Sequence, residues 1–188
     1  MINIAILASG NGTNAERIIK YFQKSENIKV KMVLNNNPRA YVLDRAQKHE
    51  VDTRVFSRTD FNTPDKCLQL FENTDFIVLA GFLWLIPQFL VKKFENKIIN
   101  IHPALLPSYG GKGMYGDYVH EAVLRNKENF SGITIHLVNE HYDEGQILFQ
   151  KKIKIDENES PWSLAEKIHA LEHLHYPKVI EETIEKSF

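Results

Sequence analysis

The fold of this chain is decided by the stretch Ile2-Asn3-Ile4-Ala5-Ile6-Leu7-Ala8-Ser9-Gly10-Asn11-Gly12-Thr13-Asn14-Ala15. Its first half is a short, near-continuous apolar run, which is typical of a strand buried on both faces of a parallel sheet. Its second half is a glycine-rich turn, and the apolar residues over 14–22 that follow have helical spacing. The stretch therefore predicts a strand, a tight turn and a helix.

The same alternation continues through the first half of the chain. Apolar runs over 29–34, 76–80 and 98–101 predict further strands, and helical spacing over 40–49 and 63–71 predicts further helices. Strands that alternate with helices are typical of α/β proteins with right-handed crossovers. We therefore predict a Rossmann-like, open, mostly parallel twisted sheet with flanking helices.

The pattern changes after residue 103. A long loop rich in Gly, Pro and Ser over 103–117 leads to a predicted helix at 118–126. Residues 132–138 and 146–155 predict an antiparallel strand pair, and a terminal helix begins near Ser160-Pro161, where proline at the first turn is well tolerated. Long structureless loops in compact domains are usually functional, so 103–117 is a candidate for the site.

No repeat or linker divides the 188 residues. We predict one domain over 1–188, with a phosphate- or nucleotide-binding half at 1–100 and catalytic loops, antiparallel strands and the C-terminal helix at 101–188. The net charge of −1 gives no electrostatic footprint for nucleic acid or a membrane surface. The longest apolar stretch, 76–86, is too short to span a membrane, and the first residues lack a signal peptide's pattern. We expect a cytoplasmic protein, monomeric or homodimeric.

The only cysteine, Cys67, stands among apolar residues with helical spacing. It cannot form an internal disulfide, and no Cys-x-x-Cys pattern indicates a metal or redox site. We predict that it packs in the core.

The glycine turn predicts a phosphate site. Gly10, Gly12 and Ala15 satisfy the G-x-G-x-x-G/A dinucleotide fingerprint, but strand two ends in Asn35-Asn36-Asn37 without the carboxylate that a ribose would need. This disfavours a nicotinamide dehydrogenase. Backbone N–H groups at a helix N-terminus bind anions, so we predict a phosphate cradle to which Gly12, Thr13 and Asn14 contribute.

Two polar residues alternate at the end of the predicted strand 98–101. Asn100 and His102 are two positions apart, so their side chains share one face, and Pro103 ends the strand. Considered alone, they are either catalytic residues or loop anchors. Asp143, two residues before Gly145, is by itself an ordinary turn residue. His136, within a predicted strand, either supports the site or is a core histidine.

The order of several motifs resembles that of the folate-dependent formyltransferases. Asn100-x-His102-Pro103 followed by Leu105-Leu106-Pro107-Ser108 is similar to the family signature, and the loop 9–14 resembles the phosphate loop of the branch that acts on glycinamide ribonucleotide. Further matches, which extend the resemblance to residue 173, are Ala80-Gly81-Phe82, Gly113-Met114-Tyr115-Gly116, Gly132-x-Thr134-x-His136, Asp143-x-Gly145-x-Ile147 and Glu172-His173.

The resemblance implies that Asn100, His102 and Asp143 are the catalytic group. A substrate amine would attack the formyl carbon of 10-formyltetrahydrofolate, and Asn100 and His102 would donate hydrogen bonds to the developing oxyanion. His102 would also act as general acid toward the leaving nitrogen. Asp143 beside it would favour the charged imidazole and raise the pKa of His102.

The resemblance also implies two binding regions. Arg58, Leu83, Trp84, Leu85 and Ile86 match folate-contacting positions, together with Asn100 and Asp143, although many members carry arginine where this chain has Trp84. Glu172 matches the acid that holds the glycinamide amine. From the residues alone, Arg58 is equally a solvated loop residue, Trp84 a packed aromatic residue and Glu172 a surface charge.

Other classes of protein remain as alternatives. His169-x-x-Glu172-His173 fits the H-x-x-E-H zinc-peptidase pattern, but no third ligand is evident, and we predict no metal. Methionyl-tRNA formyltransferases, formyltetrahydrofolate deformylases and sugar formyltransferases share the catalytic residues. The resemblance implies an added domain for the first two, and we expect 188 residues to leave no room for it. A nonenzymatic nucleotide-binding module would have no need of Asn100, His102 and Asp143 together. The implied partners are therefore two small molecules.

Overall fold

The computed structural model describes residues 1–187 and comprises two compact units. The first runs over Met1–Ile99 and the second over Asn100–Lys186, so the division falls one residue before the predicted boundary. That the chain is a single domain stays a prediction.

The first unit is an open sheet with helices. Its strands are β1 (Ile2–Ala8), β2 (Ile28–Asn35), β3 (Asp52–Val55), β4 (Phe76–Leu79) and the beginning of β5 (Ile98–His102). They lie in the order β3-β2-β1-β4-β5, and β1 pairs in parallel with both β2 and β4. The helices of this unit are α1 (Thr13–Phe22), α2 (Val42–Lys48), α3 (Arg58–Asn62), α4 (Pro64–Leu70) and α5 (Gln88–Lys93).

The second unit contains the antiparallel pair. The end of β5 neighbours β6 (Phe130–Leu137), which pairs antiparallel with β7 (Ile147–Lys154). Two helices, α6 (Asp117–Arg125) and α7 (Pro161–Glu185), complete it. The side chain of Ser160 caps α7 by accepting a hydrogen bond from the backbone N–H of Ser163. The predicted fold class, a mostly parallel sheet with flanking helices and an antiparallel pair in the C-terminal part, is confirmed.

The hydrophobic pattern explains these elements. Residues 4–8 of β1 and all of β4 are buried, as expected for central strands covered on both faces. On α1 the buried residues Ala15, Ile18, Ile19 and Phe22 follow the helical period, so one face packs inward. No helix of residues 1–187 is long and apolar enough to cross a membrane.

Three elements were missing from the sequence-based prediction, namely β3, α3 and α5. They have four, five and six residues, and three of the four residues of β3 are exposed. Elements this short carry less than two turns of helical period or a polar edge pattern, so periodicity gives no signal.

We predict that Gly132→Ala destabilises the second unit. A Cβ at Gly132 would lie 2.1 Å from the carbonyl oxygen of Lys151 on β7, so the strand pair would have to separate. Such overpacking costs about 1–3 kcal/mol. Thermal unfolding would measure it, with Gly10→Ala as the control because a Cβ there meets open space. Equal melting temperatures for the two variants would contradict the prediction.

We also predict that Cys67 is unreactive in the native protein. It is fully buried, and burial raises the pKa of its thiol to about 12. The thiol therefore stays protonated at pH 8, whereas the thiolate is the reactive form. Labelling with a disulfide reagent should be slow in buffer and complete in denaturant, and because Cys67 is the only cysteine the signal reports on it alone. Rapid stoichiometric labelling of folded protein would disprove the buried position.

Candidate active site

The glycine loop between β1 and α1 is fixed by a close backbone approach. Gly12 has φ of 79°, and a Cβ on it would lie 2.3 Å from Cγ2 of Val42. The N–H of Val42 also donates to the carbonyl oxygen of Gly10 at 3.2 Å. Only glycine fits position 12, because both its conformation and its contact with α2 exclude a side chain.

The start of α1 is suited to an anion. Thr13 and Asn14 are its first two residues and both are half-buried. Within residues 1–187, no side chain caps this helix end. The first N–H groups of a helix lack intrahelical acceptors and carry partial positive charge. The predicted phosphate residues Gly12, Thr13 and Asn14 therefore stand together at a helix N-terminus.

An ionic cluster that the sequence did not reveal supports this loop. The Arg45 guanidinium donates to the backbone oxygen of Asn11 at 2.9 Å and to its side-chain oxygen at 3.0 Å, and it also contacts Glu16. Hydrogen bonds from Lys20 and His49, together with Arg45, lower the pKa of Glu16 to about 2. In the sequence Arg45 has the spacing of a surface helix residue, so only the folded contact identifies it.

The segment 83–86, which we expect to contact folate, packs against aromatic side chains through Trp84. The ring of Trp84 is 6.0 Å from that of Phe56 and 5.9 Å from that of Phe61, and the Arg58 guanidinium stacks over it at 5.3 Å. Trp84 is half-buried and Ile86 is buried, whereas the side chains of Leu83 and Leu85 are exposed.

The accessible apolar surface of this segment comes from its leucines. Leu83 is 47% exposed and Leu85 is 43% exposed. The backbone N–H of Leu83 donates to the hydroxyl of Ser9 at 3.2 Å, and the N–H of Ser9 donates to the carbonyl oxygen of Gly81. These two hydrogen bonds tie the segment to the first residue of the glycine loop.

In the second unit the structure brings Asn100, His102 and Asp143 together. Asn100 Nδ2 donates to Asp143 Oδ1 at 3.4 Å, and His102 Nδ1 lies 3.5 Å from Asp143 Oδ2. Asn100 and His102 reach the same carboxylate because they alternate on β5. Residues distant in sequence therefore converge at the carboxyl end of this strand, where open α/β sheets hold ligands.

The Asp143 carboxylate is held ionised. Burial favours its neutral form, but the imidazole of His136, the charge of His102 and the N–H of Gly111, which donates to Oδ2 at 2.9 Å, together lower its pKa. Its backbone has φ of 58°, a conformation unusual for a residue with a side chain. The sequence identifies Asp143 as a turn residue, and the turn is what directs its carboxylate inward.

His102 differs from expectation in its pKa. Burial lowers the pKa of this imidazole below its ordinary value, and the attraction of Asp143 and of the Tyr109 carbonyl opposes that shift without offsetting it. The prediction that Asp143 raises the pKa of His102 is thus correct for the pairwise interaction and wrong for the residue as a whole. Sequence proximity indicates the charge partner, but the desolvation depends on the surrounding packing.

His136 supports the site rather than only filling the core. Its Nδ1 donates to the carbonyl oxygen of Leu137 at 2.8 Å, so its Nε2 accepts from Asn100 Nδ2 at 3.1 Å. The same Nε2 lies 3.6 Å from Asp143 Oδ1. Both hydrogens of the Asn100 amide are therefore directed toward His136 and Asp143.

A buried hydroxyl anchors the loop that follows His102. Thr134 is fully buried, and its Oγ1 donates to the carbonyl oxygen of Ala104 at 2.6 Å and accepts from the N–H of Leu106 at 3.0 Å. The side-chain amide of Gln150 on β7 donates to Oγ1 of Thr134 and to the carbonyl oxygen of Leu106, both at 2.9 Å. Nothing in the sequence indicates this role of Gln150, because an alternating position on an edge strand is ordinarily solvated.

Glu172 is a buried carboxylate on α7. It is 5% exposed, so it is not the surface charge that helical polarity alone would suggest. The nearby Tyr176 is fully buried, and burial together with the charge of Glu172 raises its pKa well above the ordinary value. His169 and His173 stack at 6.5 Å, and within residues 1–187 no three His, Cys, Asp or Glu side chains are grouped to hold a metal.

Comparison with known proteins identifies the family. A family profile described as formyl transferase matches residues 2–180. The phosphoribosylglycinamide formyltransferase of Bacillus subtilis is 34% identical over 193 residues, which cover 98% of this chain and 95% of that protein. The chloroplastic enzyme of the same name from Arabidopsis thaliana is 37% identical over 185 residues, or 94% of this chain. This chain spans 63% of the length of that plant relative.

The solved structures agree with the sequence relatives. The crystal structure of phosphoribosylglycinamide formyltransferase from Bacillus halodurans superposes with a TM-score of 0.87 at 33% identity. The match covers 99% of this chain and 97% of that one. Fold, motifs and relatives agree, and the chain belongs to the formyl transferase family, among the phosphoribosylglycinamide formyltransferases.

Proposed function

We propose that this chain transfers the formyl group of 10-formyltetrahydrofolate to the amine of 5-phosphoribosylglycinamide, as a step of purine biosynthesis. The observation that carries the proposal is the cluster of Asn100, His102 and Asp143, in which two donors and an ionised carboxylate meet. The family supports formyl transfer, and the names of the relatives support the acceptor.

The reaction requires one proton to pass from the amine to the folate nitrogen. The amine attacks the formyl carbon, which gives a tetrahedral intermediate with negative charge on oxygen. The bond from this carbon to the folate nitrogen then breaks, and that nitrogen takes up a proton. No side-chain nucleophile is needed, because the attacking group belongs to the substrate.

Asn100 is the proposed donor to the oxyanion. Of its two hydrogen bonds, the 3.4 Å contact with Asp143 is longer than the 3.1 Å contact with His136. Long hydrogen bonds are weak, so the hydrogen that faces Asp143 is the one available to the developing charge. His136 then keeps the amide in place, and preorganised donors of this kind stabilise a charge without reorganisation.

His102 is the proposed general acid. In its charged form it donates a proton to the leaving folate nitrogen and recovers one from the attacking amine. A lowered pKa makes the imidazolium a stronger acid, although a smaller fraction is charged at neutral pH. The ionised Asp143 limits this loss, because its charge stabilises the imidazolium.

The two substrates match groups elsewhere in the chain. A phosphate suits the helix N-terminus at Gly12, Thr13 and Asn14, and the buried Glu172 carboxylate suits the amine or amide hydrogens of the acceptor. A flat heterocycle suits the exposed Leu83 and Leu85 and their neighbours Trp84 and Ile86, where backbone groups would read its polar edge. Arg58 provides a cation beside Trp84 for an anionic part of the folate. A cytoplasmic location stays a prediction.

Formyl transfer with purified protein tests the proposal. We expect absorbance of the donor to change only when 5-phosphoribosylglycinamide is present. His102→Ala should lower kcat by about 10²–10⁴-fold and Asn100→Ala by about 10²–10³-fold, with little change in KM. His141→Ala is the matched control, because His141 is an exposed turn residue. Loss of donor without the acceptor would indicate a deformylase, and absence of folate binding would favour a nonenzymatic module.

We predict that the pKa of His102 lies below the ordinary value of a histidine and that Asp143→Asn lowers this pKa further. Burial sets the first shift, and removal of the carboxylate removes the charge that opposes it. As pH rises, His102 therefore loses its proton at a lower pH in the variant than in the native protein, and the general acid is lost with that proton. NMR titration of the ring measures both values. Glu144→Gln is the control, since Glu144 is exposed, and equal shifts in the two variants would refute the role of Asp143.

A further inference from the structure

The two ring nitrogens of His102 face different groups. Nε2 lies 2.7 Å from the carbonyl oxygen of Tyr109, and Nδ1 lies 3.5 Å from Asp143 Oδ2. A carbonyl oxygen only accepts hydrogen bonds, so at 2.7 Å the hydrogen must be on Nε2. The partner of one ring nitrogen thus determines the state of the other.

Tyr109 is held in place at both of its ends. Its hydroxyl donates to Glu128 Oε1 at 2.8 Å and accepts from Asn126 Nδ2 at 2.9 Å, just beyond the end of α6. Its backbone has φ of 59°, which is costly for a residue with a large side chain and persists only where the surroundings impose it. The hydroxyl contacts and the hydrogen bond to His102 provide that support, and together they direct the Tyr109 carbonyl toward the imidazole of His102.

We propose that Tyr109 is a positioning residue that fixes neutral His102 with its hydrogen on Nε2 and leaves Nδ1 as the nitrogen that exchanges the proton. The assignment of the hydrogen rests on the contacts alone, and the role of Nδ1 rests on the function proposed above. In that reaction the protonated Nδ1 gives its proton to the leaving folate nitrogen and recovers one from the attacking amine. The hydrogen on Nε2 stays hydrogen-bonded to the carbonyl oxygen of Tyr109 throughout, and Asp143 faces Nδ1, which gains and loses the proton.

The hydrogen position can be observed without any substrate. In ¹⁵N-labelled protein, at a pH where His102 is neutral, long-range ¹H–¹⁵N correlation distinguishes a ring nitrogen with hydrogen from one without it. The His102 signals are assigned by their absence in His102→Ala. We expect hydrogen on Nε2 and none on Nδ1. Hydrogen on Nδ1 would overturn the proposal even if formyl transfer is observed, whereas a failed transfer assay would leave this result unaffected.

Removal of the Tyr109 hydroxyl tests the positioning role. Tyr109→Phe keeps the ring and the carbonyl but loses the contacts with Asn126 and Glu128. A hydrogen bond of this kind is worth a factor of about three to ten, so kcat should fall by that factor with KM unchanged, and the hydrogen of His102 should begin to populate Nδ1. The matched control is Tyr118→Phe, because Tyr118 is exposed and its hydroxyl has no hydrogen-bond partner within residues 1–187.

A double variant separates positioning from general stability. If the hydroxyl acts through Glu128, then Tyr109→Phe combined with Glu128→Ala should lower kcat no further than the more damaging single change. Glu128→Gln, which keeps an acceptor, should retain most of the rate. A merely structural role would lower the melting temperature while kcat and the His102 hydrogen stay unchanged. That result, or identical behaviour of Tyr109→Phe and Tyr118→Phe, would overturn the proposal.

Discussion

The Asp143 carboxylate is the constraint on which the candidate site depends. It contacts Asn100, His102 and His136 and is held by the Gly111 N–H, so one ionised group orients the residues of two strands and the loop between them. A carboxylate that is largely removed from water is stable only when its charge is compensated, and these contacts supply the compensation. Removing any of them leaves this half-buried charge with fewer partners, so a change in the geometry of the site also changes its ionisation.

Two residues of the site have backbone conformations that side chains disfavour. Tyr109 and Asp143 both have positive φ, and Gly111 lies between them in sequence with φ of 96°. Strained residues persist where surrounding contacts over-determine them, and they cluster at functional sites. Here the contacts are visible: Thr134 and Gln150 fix the loop after His102, and Asn126 and Glu128 fix the ring of Tyr109. The loop 103–117 is therefore irregular in secondary structure but well supported by hydrogen bonds.

The sequence predicts which residues form the site, but it does not predict their ionisation. The motif positions indicate that Asn100, His102 and Asp143 belong together, and the structure brings them within contact distance. The ionisation of His102 could not be obtained in this way, because burial outweighs the attraction of Asp143. The roles of Arg45, Gln150 and the carbonyl of Tyr109 also could not be predicted, because contacts made by backbone atoms or by ordinary surface residue types leave no pattern in the sequence.

The sequence by itself determined the fold class, the central strands, the longer helices, the glycine loop and the identity of the residues at the end of β5. These follow from hydrophobic periodicity, from glycine geometry and from motif spacing, which are local along the chain. Tertiary structure decided the short elements β3, α3 and α5, the burial of Glu172 and the protonation state of His102. The physical reason is that desolvation and long-range hydrogen bonding depend on which distant residues surround a group, and that information exists only once the chain is folded.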